Sequence, residues 1–237
     1  MPLVRKARFF WVYPIAIWLF ATANTSELSL RLGTVCALLG EALRLWANGY
    51  VGHRKVNVTQ KWRNDPKIGH LITGGPYAHV RHPLYVGTFL IGLGFCVAMR
   101  SFVVAIGALL FFAIVYRAKV AREEETILGE WGDEYEAYRR AVPRWFPTMR
   151  PYRDRDGRWS WAGIRASQEL KTLIWVLVCL IAVYLREEFF QEHERFFTRA
   201  WAKHLGVLLL LAGLIASDLG MELVKRLKRQ SSPNVAK

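Results

Sequence analysis

Long stretches without charge constrain the fold of this chain more than any other feature of its sequence. Although 22% of the 237 residues are charged, six runs of 15 or more residues are almost free of charge. Soluble domains of this size do not carry so many such runs, so the sequence predicts a multi-pass integral membrane protein. The predicted spans cover residues 9–23, 30–47, 84–99, 102–116, 170–185 and 204–220.

The predicted spans are helices, which makes the predicted fold all-α. A chain in a bilayer satisfies its backbone hydrogen bonds within helices or a closed barrel, and these runs are continuously apolar rather than alternating. All three cysteines lie inside the spans, and their spacing matches neither a disulfide framework nor a zinc site. His79 and His82 could suggest a metal, but Pro83 breaks the helical spacing that would align the two rings, so no metal site is predicted.

The distribution of basic residues predicts the orientation in the membrane. Residues 1–8, 48–83, 117–169 and 221–237 fall on one side of a six-span chain and hold 25 of the 33 Lys and Arg residues. Positive charge follows the cytoplasmic side, so both termini are predicted to be cytoplasmic. The membrane would be a bacterial inner membrane, or the endoplasmic reticulum in a eukaryote. The net charge of +14 then indicates attraction to anionic lipid headgroups, and no nucleic-acid partner is predicted.

A polar stretch between the fourth and fifth spans divides the chain. Residues 1–150 form the predicted core, with four spans and a cytoplasmic segment at 117–149. Residues 151–169 are predicted to be a cytoplasmic connector that ends in interfacial tryptophans. Residues 170–237 form a C-terminal helix pair with a basic tail.

The third and fourth spans are predicted to form an antiparallel hairpin, because only Arg100 and Ser101 separate them. Facing residues then have numbers that sum to about 201, which places position 82 near 119 and position 77 near 124. Residues 117–130 lack proline and have no glycine before Gly129, so the fourth helix should run on past the membrane surface. Two polar groups of side chains then converge on one cytoplasmic pocket. They are Tyr77, His79, Arg81, His82 and Tyr85, and opposite them Lys119, Arg122, Glu123 and Glu124.

The residue types in this pocket suit a small zwitterion. Pro83 fits the first turn of a helix and keeps His82 out of the helical conformation. The start of a helix favours an anionic group such as a carboxylate, whereas Glu123 and Glu124 suit an ammonium group. Gly75 permits a tight backbone ahead of the site. The predicted ligand carries an amino group and a carboxylate on one carbon.

The motifs at these residues resemble a known family. The sequence contains Arg81-His82-Pro83-Leu84-Tyr85, then Glu123-Glu124, then Trp131-Gly132 with Tyr135 and Tyr138. This order resembles the isoprenylcysteine carboxyl methyltransferase family and its phospholipid-methyltransferase relatives. The resemblance extends over roughly residues 40–147.

The resemblance implies an enzyme, an S-adenosylmethionine-dependent methyltransferase with its cofactor at the cytoplasmic ends of the hairpin helices. The catalytic residues that it implies are Arg81, His82, Tyr85, Glu123 and Glu124. The expected cofactor-binding residues are His70, Leu71, Ile72, Thr73, Gly75, Tyr77, His82, Pro83, Leu84, Tyr85, Glu123 and Glu124. Lys119 stands where eukaryotic members have an arginine that meets the acceptor. Arg44, Tyr135 and Tyr138 complete the candidates for substrate binding, although Arg44 and Glu41 also suit a structural ion pair.

The acceptor remains open among several amphiphiles that would enter from the lipid. A carboxylate is already ionised at pH 7 and needs no general base, whereas an amine arrives protonated and needs one. The preferred prediction is O-methylation of an isoprenylcysteine-like carboxyl group, and the alternative is N-methylation of a phospholipid or another small amphiphile. Two other classes are an NADPH-dependent reductase of the sterol-reductase type and a non-enzymatic membrane scaffold.

Overall fold

The computed structural model describes residues 20, 23–51, 71–188 and 200–230. This part of the chain is helical and contains no strand. Its α-helices are α1 (Glu27–Val51), α2 (Pro83–Ala98), α3 (Phe102–Ala141), α4 (Trp161–Ser167), α5 (Glu169–Arg186) and α6 (Ala200–Gln230), and a short 3₁₀ helix covers Gly75–Ala78. The predicted all-α fold is confirmed.

Within the part of the chain that the structure describes, two helices are long and apolar enough to cross a membrane, namely α3 and residues His204–Leu227 of α6. Helices α4 and α5 together form a third candidate span if they are taken as one interrupted helix. Helix α2 is also apolar but is shorter. Large apolar side chains such as Val103 and Ile114 of α3 are exposed, as expected of a helix that faces lipid. The span predicted at 9–23 lies almost entirely outside the described residues, so six spans stay a prediction.

Helices α1 and α2 are in close contact because small residues line both facing surfaces. A Cβ atom added to Gly94 would lie 2.6 Å from the backbone nitrogen of Ala37 and 2.6 Å from the carbonyl oxygen of Gly33. One added to Gly40 would lie 2.6 Å from the carbonyl oxygen of Gly87. Small residues repeated in this way let two helix backbones approach closely in a membrane.

The predicted hairpin is formed by α2 and α3. The turn between them contains Arg100, whose φ of 50° lies in the left-handed region. The ring centroids of Phe89 and Phe112 are 5.2 Å apart, and those of Tyr85 and Tyr116 are 4.9 Å apart. Both pairs have numbers that sum to 201, so the predicted register is confirmed. Helix α3 also continues beyond its apolar part (102–116), as predicted, and is kinked at Gly132 (φ 49°, ψ −122°).

The segment after α3 runs back along the segment that precedes α2. Backbone N–H groups of Arg81 and Thr148 donate to the carbonyl oxygens of Pro143 (2.9 Å) and His79 (2.9 Å), respectively. Further along, the N–H of Gly74 donates to the carbonyl oxygen of Asp156 (2.7 Å). These bonds fix the path of residues 143–156 beside the start of α2.

The chain divides into two compact units, residues 1–169 and 170–237. The second unit contains most of α5 and all of α6. Within it, the Lys171 ammonium lies 3.3 Å from Asp218, and His204 Nε2 lies 3.5 Å from Glu188. Since the first contact joins the start of α5 to the later part of α6 and the second joins their other ends, these helices are antiparallel.

Candidate functional site

The carboxylate of Glu124 is the centre of the site, and three cationic or polar side chains surround it. His82 Nε2 and Arg81 Nη1 each lie 2.9 Å from Glu124 Oε1. Arg144 donates from Nη2 to Oε2 at 2.5 Å and from Nε to Oε1 at 3.1 Å. Glu124 is only 4% exposed, and a buried carboxylate requires such partners.

These partners determine the protonation of Glu124, which lies beyond the apolar part of α3. Burial alone raises the pKa of this carboxyl, but hydrogen bonds from His82 and Arg144 and the charge of Arg81 outweigh burial and lower the pKa from 4.5 to about 2. Glu124 is therefore ionised at neutral pH and can only accept hydrogen bonds. It follows that the N–H group at His82 Nε2 is the donor in the hydrogen bond to this carboxylate.

The backbone at the start of α2 explains how His82 reaches Glu124. Pro83 occupies the first turn of α2, and His82 before it has a non-helical conformation (φ −126°, ψ 59°). The hairpin register is expected to place position 82 near position 119, and the hydrogen bond of His82 is made with Glu124. His82 lies outside the helix, so its side chain extends beyond the register of the hairpin to a residue further along α3.

A second carboxylate, that of Glu123, lies beside the first. It accepts a hydrogen bond of 2.6 Å from the Tyr85 hydroxyl and is half-buried. Lys119 is half-buried too, and its ammonium lies 4.8 Å from the centroid of the Tyr85 ring and 5.7 Å from that of Tyr116. Among the described residues no carboxylate pairs with this lysine, and its ammonium group makes cation–π contacts with these two rings instead. Glu125, the third glutamate of the run, is exposed.

Arg144 and Trp145 belong to the site, although neither residue was among the predicted site residues. Trp145 packs near His82, with ring centroids 6.0 Å apart, and near Phe112 at 5.9 Å. The hydrogen bond from the N–H of Arg81 to the carbonyl oxygen of Pro143 holds these two residues near the start of α2. No spacing in the sequence indicates this contact, because it depends on the path of an irregular segment.

Arg44 takes part in a separate ionic network. Its guanidinium donates to both carboxylate oxygens of Glu169, at 2.6 and 3.1 Å, and to the Thr88 hydroxyl at 2.5 Å. Glu41 lies 3.8 Å away, so the ion pair between α1 residues is present, but Glu169 is the closer partner and was not foreseen. The substrate-binding role of Arg44 stays a prediction.

Tyr135 and Tyr138, the other predicted substrate contacts, are buried in an apolar cluster. The cluster also contains Leu71 and Val142. The Tyr138 hydroxyl donates to the carbonyl oxygen of Tyr77 at 2.7 Å. In this structure both tyrosines join the second half of α3 to the segment before α2, and contact with a substrate is untested.

The predicted cofactor-binding stretch before α2 is held by the segment that follows α3. The Thr73 hydroxyl donates to the carbonyl oxygen of Asp154 and accepts from the N–H of Asp156, both at 2.9 Å. Gly75 has a φ of 59°, and a Cβ there would lie 2.2 Å from the Tyr50 ring, so only glycine fits. His70 lies outside the described residues.

The chain is similar to known methyltransferases over the region that contains both carboxylates of the site. The family described as phospholipid methyltransferase matches residues 28–133. The protein-S-isoprenylcysteine O-methyltransferase of Schizosaccharomyces pombe is 34% identical over 135 residues, which are 56% of this chain and 52% of that protein. The human protein of the same name is 30% identical over 50% of this chain and 41% of its own length.

A bacterial relative matches over a larger share of its length. The cobalt-zinc-cadmium resistance protein CzcN of Cupriavidus metallidurans is 32% identical over 158 residues, 67% of this chain and 67% of that protein. The chain spans about half the length of the isoprenylcysteine relatives that it matches. No solved structure matches the chain. The matched region contains the hairpin and both carboxylates, and the chain belongs to the isoprenylcysteine-methyltransferase-like family of membrane proteins.

Proposed function

We propose that this protein is an S-adenosylmethionine-dependent membrane methyltransferase that methylates the carboxyl group of an isoprenylcysteine-like, lipid-embedded acceptor. The observation that supports it best is the pair of adjacent carboxylates, one surrounded by His82, Arg81 and Arg144 and the other with a single donor among the described residues. The description of the matching family and the names of the Schizosaccharomyces pombe and human relatives agree with this activity.

The residues fit the cofactor at its amino-acid end. Glu123 accepts from Tyr85 alone among the described residues, so its remaining lone pairs suit an ammonium group. Glu124 already accepts hydrogen bonds from His82 and Arg144 and forms an ion pair with Arg81, and its role is to hold these side chains in place. When bound, S-adenosylmethionine supplies a methyl group on a sulfonium for in-line displacement by the acceptor.

The hydrogen bond between His82 and Glu124 favours a carboxylate acceptor over an amine. Because His82 Nε2 donates to Glu124, that nitrogen is not available to remove a proton from an ammonium group. A carboxylate needs no general base, and the positive charge of Lys119 beside Tyr85 would attract it. These two features support O-methylation.

An apolar acceptor tail suits the outer surface of the hairpin. Exposed side chains such as Leu109, Leu110 and Ile114 cover the apolar part of α3, which ends beside Lys119. A lipid-tailed acceptor could thus keep its tail in the bilayer while its head group reaches Lys119.

The experiment is a methyl-transfer assay in membranes that contain the protein, with methyl-labelled S-adenosylmethionine and either a farnesylcysteine analogue or phospholipid extracts. Base-labile label on the farnesylcysteine analogue is the expected result, since methyl esters hydrolyse in base. Glu123→Gln should abolish this label, and Glu125→Gln serves as the matched control. Label in neither fraction, with no binding of the methyl donor, would contradict the proposal and favour a reductase or a scaffold.

A phospholipid amine is the second candidate acceptor, because the family that matches residues 28–133 is described as phospholipid methyltransferase. Base-stable label in the phospholipid fraction would support it. In that case Glu123, which accepts from Tyr85 alone among the described residues, would be the candidate to take the amine proton.

A further inference from the structure

The loop that follows the site presents two large apolar side chains outward. Phe146 is 84% exposed and Met149 is 95% exposed. The loop is nevertheless held at both ends, since Pro143 accepts from Arg81 and Thr148 makes two hydrogen bonds to His79 (2.9 and 2.8 Å). Exposed apolar groups on a loop fixed in this way indicate a surface that contacts another apolar phase.

The neighbour of Phe146 indicates the depth of the loop relative to the bilayer. Trp145 packs against Phe112, with ring centroids 5.9 Å apart. Phe112 precedes Tyr116, the last residue of the apolar part of α3, by one turn, or about 6 Å along the helix axis. The loop therefore lies at the level of the last apolar turn of α3, where a membrane-embedded helix is surrounded by lipid.

The residues after the loop are suited to the headgroup layer. Residues 150–158 contain four exposed arginines, at positions 150, 153, 155 and 158, and two aspartates. Trp159 and Trp161 follow and are also exposed. Arginines beside aromatic side chains are typical of segments at an anionic membrane surface.

We infer that residues 145–149 form a loop inserted in the membrane and that residues 150–161 lie on anionic phospholipid headgroups. The partner is the bilayer leaflet next to the Glu124 cluster. This inference goes beyond the proposed function and does not depend on it. Because Arg144 binds Glu124 directly before the loop, the same segment connects the carboxylate site to the lipid surface.

The test is a measurement of depth by spin labelling. Cys36, Cys96 and Cys179 are replaced by alanine, and single cysteines are introduced by Phe146→Cys and Met149→Cys. Each is labelled with a nitroxide in nanodiscs that hold one copy of the protein. Glu130→Cys, at an exposed residue of α3 beyond its apolar part, is the matched control. Size-exclusion profiles and helical circular dichroism establish that the variants fold.

The expected result is a several-fold higher ratio of oxygen to nickel-chelate accessibility at 146 and 149 than at 130, since oxygen partitions into lipid and the chelate does not. Equal ratios at all three positions would place the loop in water and overturn the inference. Low accessibility to both reagents at 146 and 149 would also overturn it, because another part of the protein would then cover the loop.

The lipid composition tests the headgroup contact. Nanodiscs of phosphatidylcholine are compared with nanodiscs that also contain phosphatidylglycerol. The ratio of oxygen to nickel-chelate accessibility at position 146 should be higher in the nanodiscs with phosphatidylglycerol. This increase should be lost in a variant that carries both Arg153→Gln and Arg155→Gln. The same accessibility ratio in both kinds of nanodisc would refute the role assigned to these arginines.

Discussion

Glu124 and Glu123 are adjacent in the sequence, but their surroundings give them different chemistry. Glu124 is buried and accepts hydrogen bonds from an imidazole and a guanidinium, with a second guanidinium 2.9 Å away. Glu123 is half-buried and accepts from one hydroxyl. The first carboxylate therefore organises the site, and the second is available to bind a cationic group.

Glu124→Gln should both destabilise the protein and abolish methyl-donor binding. The substitution leaves Arg81 and Arg144 without their counter-ion, and removal of one partner from a buried ion pair costs about 3 kcal/mol. Unfolding in detergent and binding of labelled S-adenosylmethionine measure the two effects. Glu125→Gln, one residue along and exposed, should change neither. Normal donor affinity in purified Glu124→Gln would contradict the placement of the site.

The low pKa of Glu124 predicts how this contribution changes with pH. A carboxyl with a folded-state pKa of about 2 instead of 4.5 adds stability that is fully present above pH 4.5 and is lost as the pH falls through about 2. The stability gap between the native protein and Glu124→Gln should therefore be constant from pH 7 to about 5 and shrink in acid.

Arg144→Ala provides the matched test of this pH dependence. Loss of its two hydrogen bonds should raise the pKa of Glu124 toward 4.5, so that the pH-dependent part of the stability becomes smaller and is completely lost at a higher pH. Arg140→Ala, at an exposed arginine of α3, should leave the profile unchanged. Identical acid profiles for Arg144→Ala and the native protein would show that Arg144 does not act on Glu124.

At the scale of elements, the contact between α1 and α2 depends on residues without side chains. Gly92 and Gly94 both lie in α2, yet a Cβ on Gly92 would meet nothing within 4 Å, whereas one on Gly94 would meet the backbone of α1 at 2.6 Å. The same residue type therefore has different roles on two faces of one helix.

Gly94→Ala should destabilise the protein by about 2 kcal/mol, because backbone atoms on α1 must move apart. Gly92→Ala should be neutral or stabilise by about 0.5 kcal/mol, since alanine favours a helix more than glycine does. Thermal unfolding in detergent compares the two. Equal midpoints for both variants would mean that α1 and α2 are not in backbone contact at Gly94.

At the scale of the whole molecule, the orientation in the membrane follows from the basic residues and is a prediction. A reporter fused after Lys237 should be active on the cytoplasmic side, and a cysteine introduced at Ser101 should react with an impermeant reagent from the opposite side. Protection of position 101 in intact cells, with labelling only after lysis, would contradict the predicted orientation.

The sequence by itself determined the helical class, the α2–α3 hairpin and its register, and the extension of α3 beyond its apolar part. These features depend on local rules, namely apolar periodicity, a two-residue turn and a stretch without helix breakers. The pairing of Tyr85 with Tyr116 could be predicted because a short turn between two helices leaves a single register. The family motifs named Arg81, His82 and Glu124 through a resemblance rather than a local rule, and they did not include Arg144.

Only the tertiary structure decided which side chains contact each carboxylate. His82 reaches Glu124 because the backbone before Pro83 leaves the helical path, and Arg144 arrives through an irregular segment paired with residues 73–81. Arg44 pairs with Glu169, which is 125 residues away in sequence. Such contacts join distant parts of the chain, and their geometry is set by loop paths and burial rather than by any periodic pattern in the sequence.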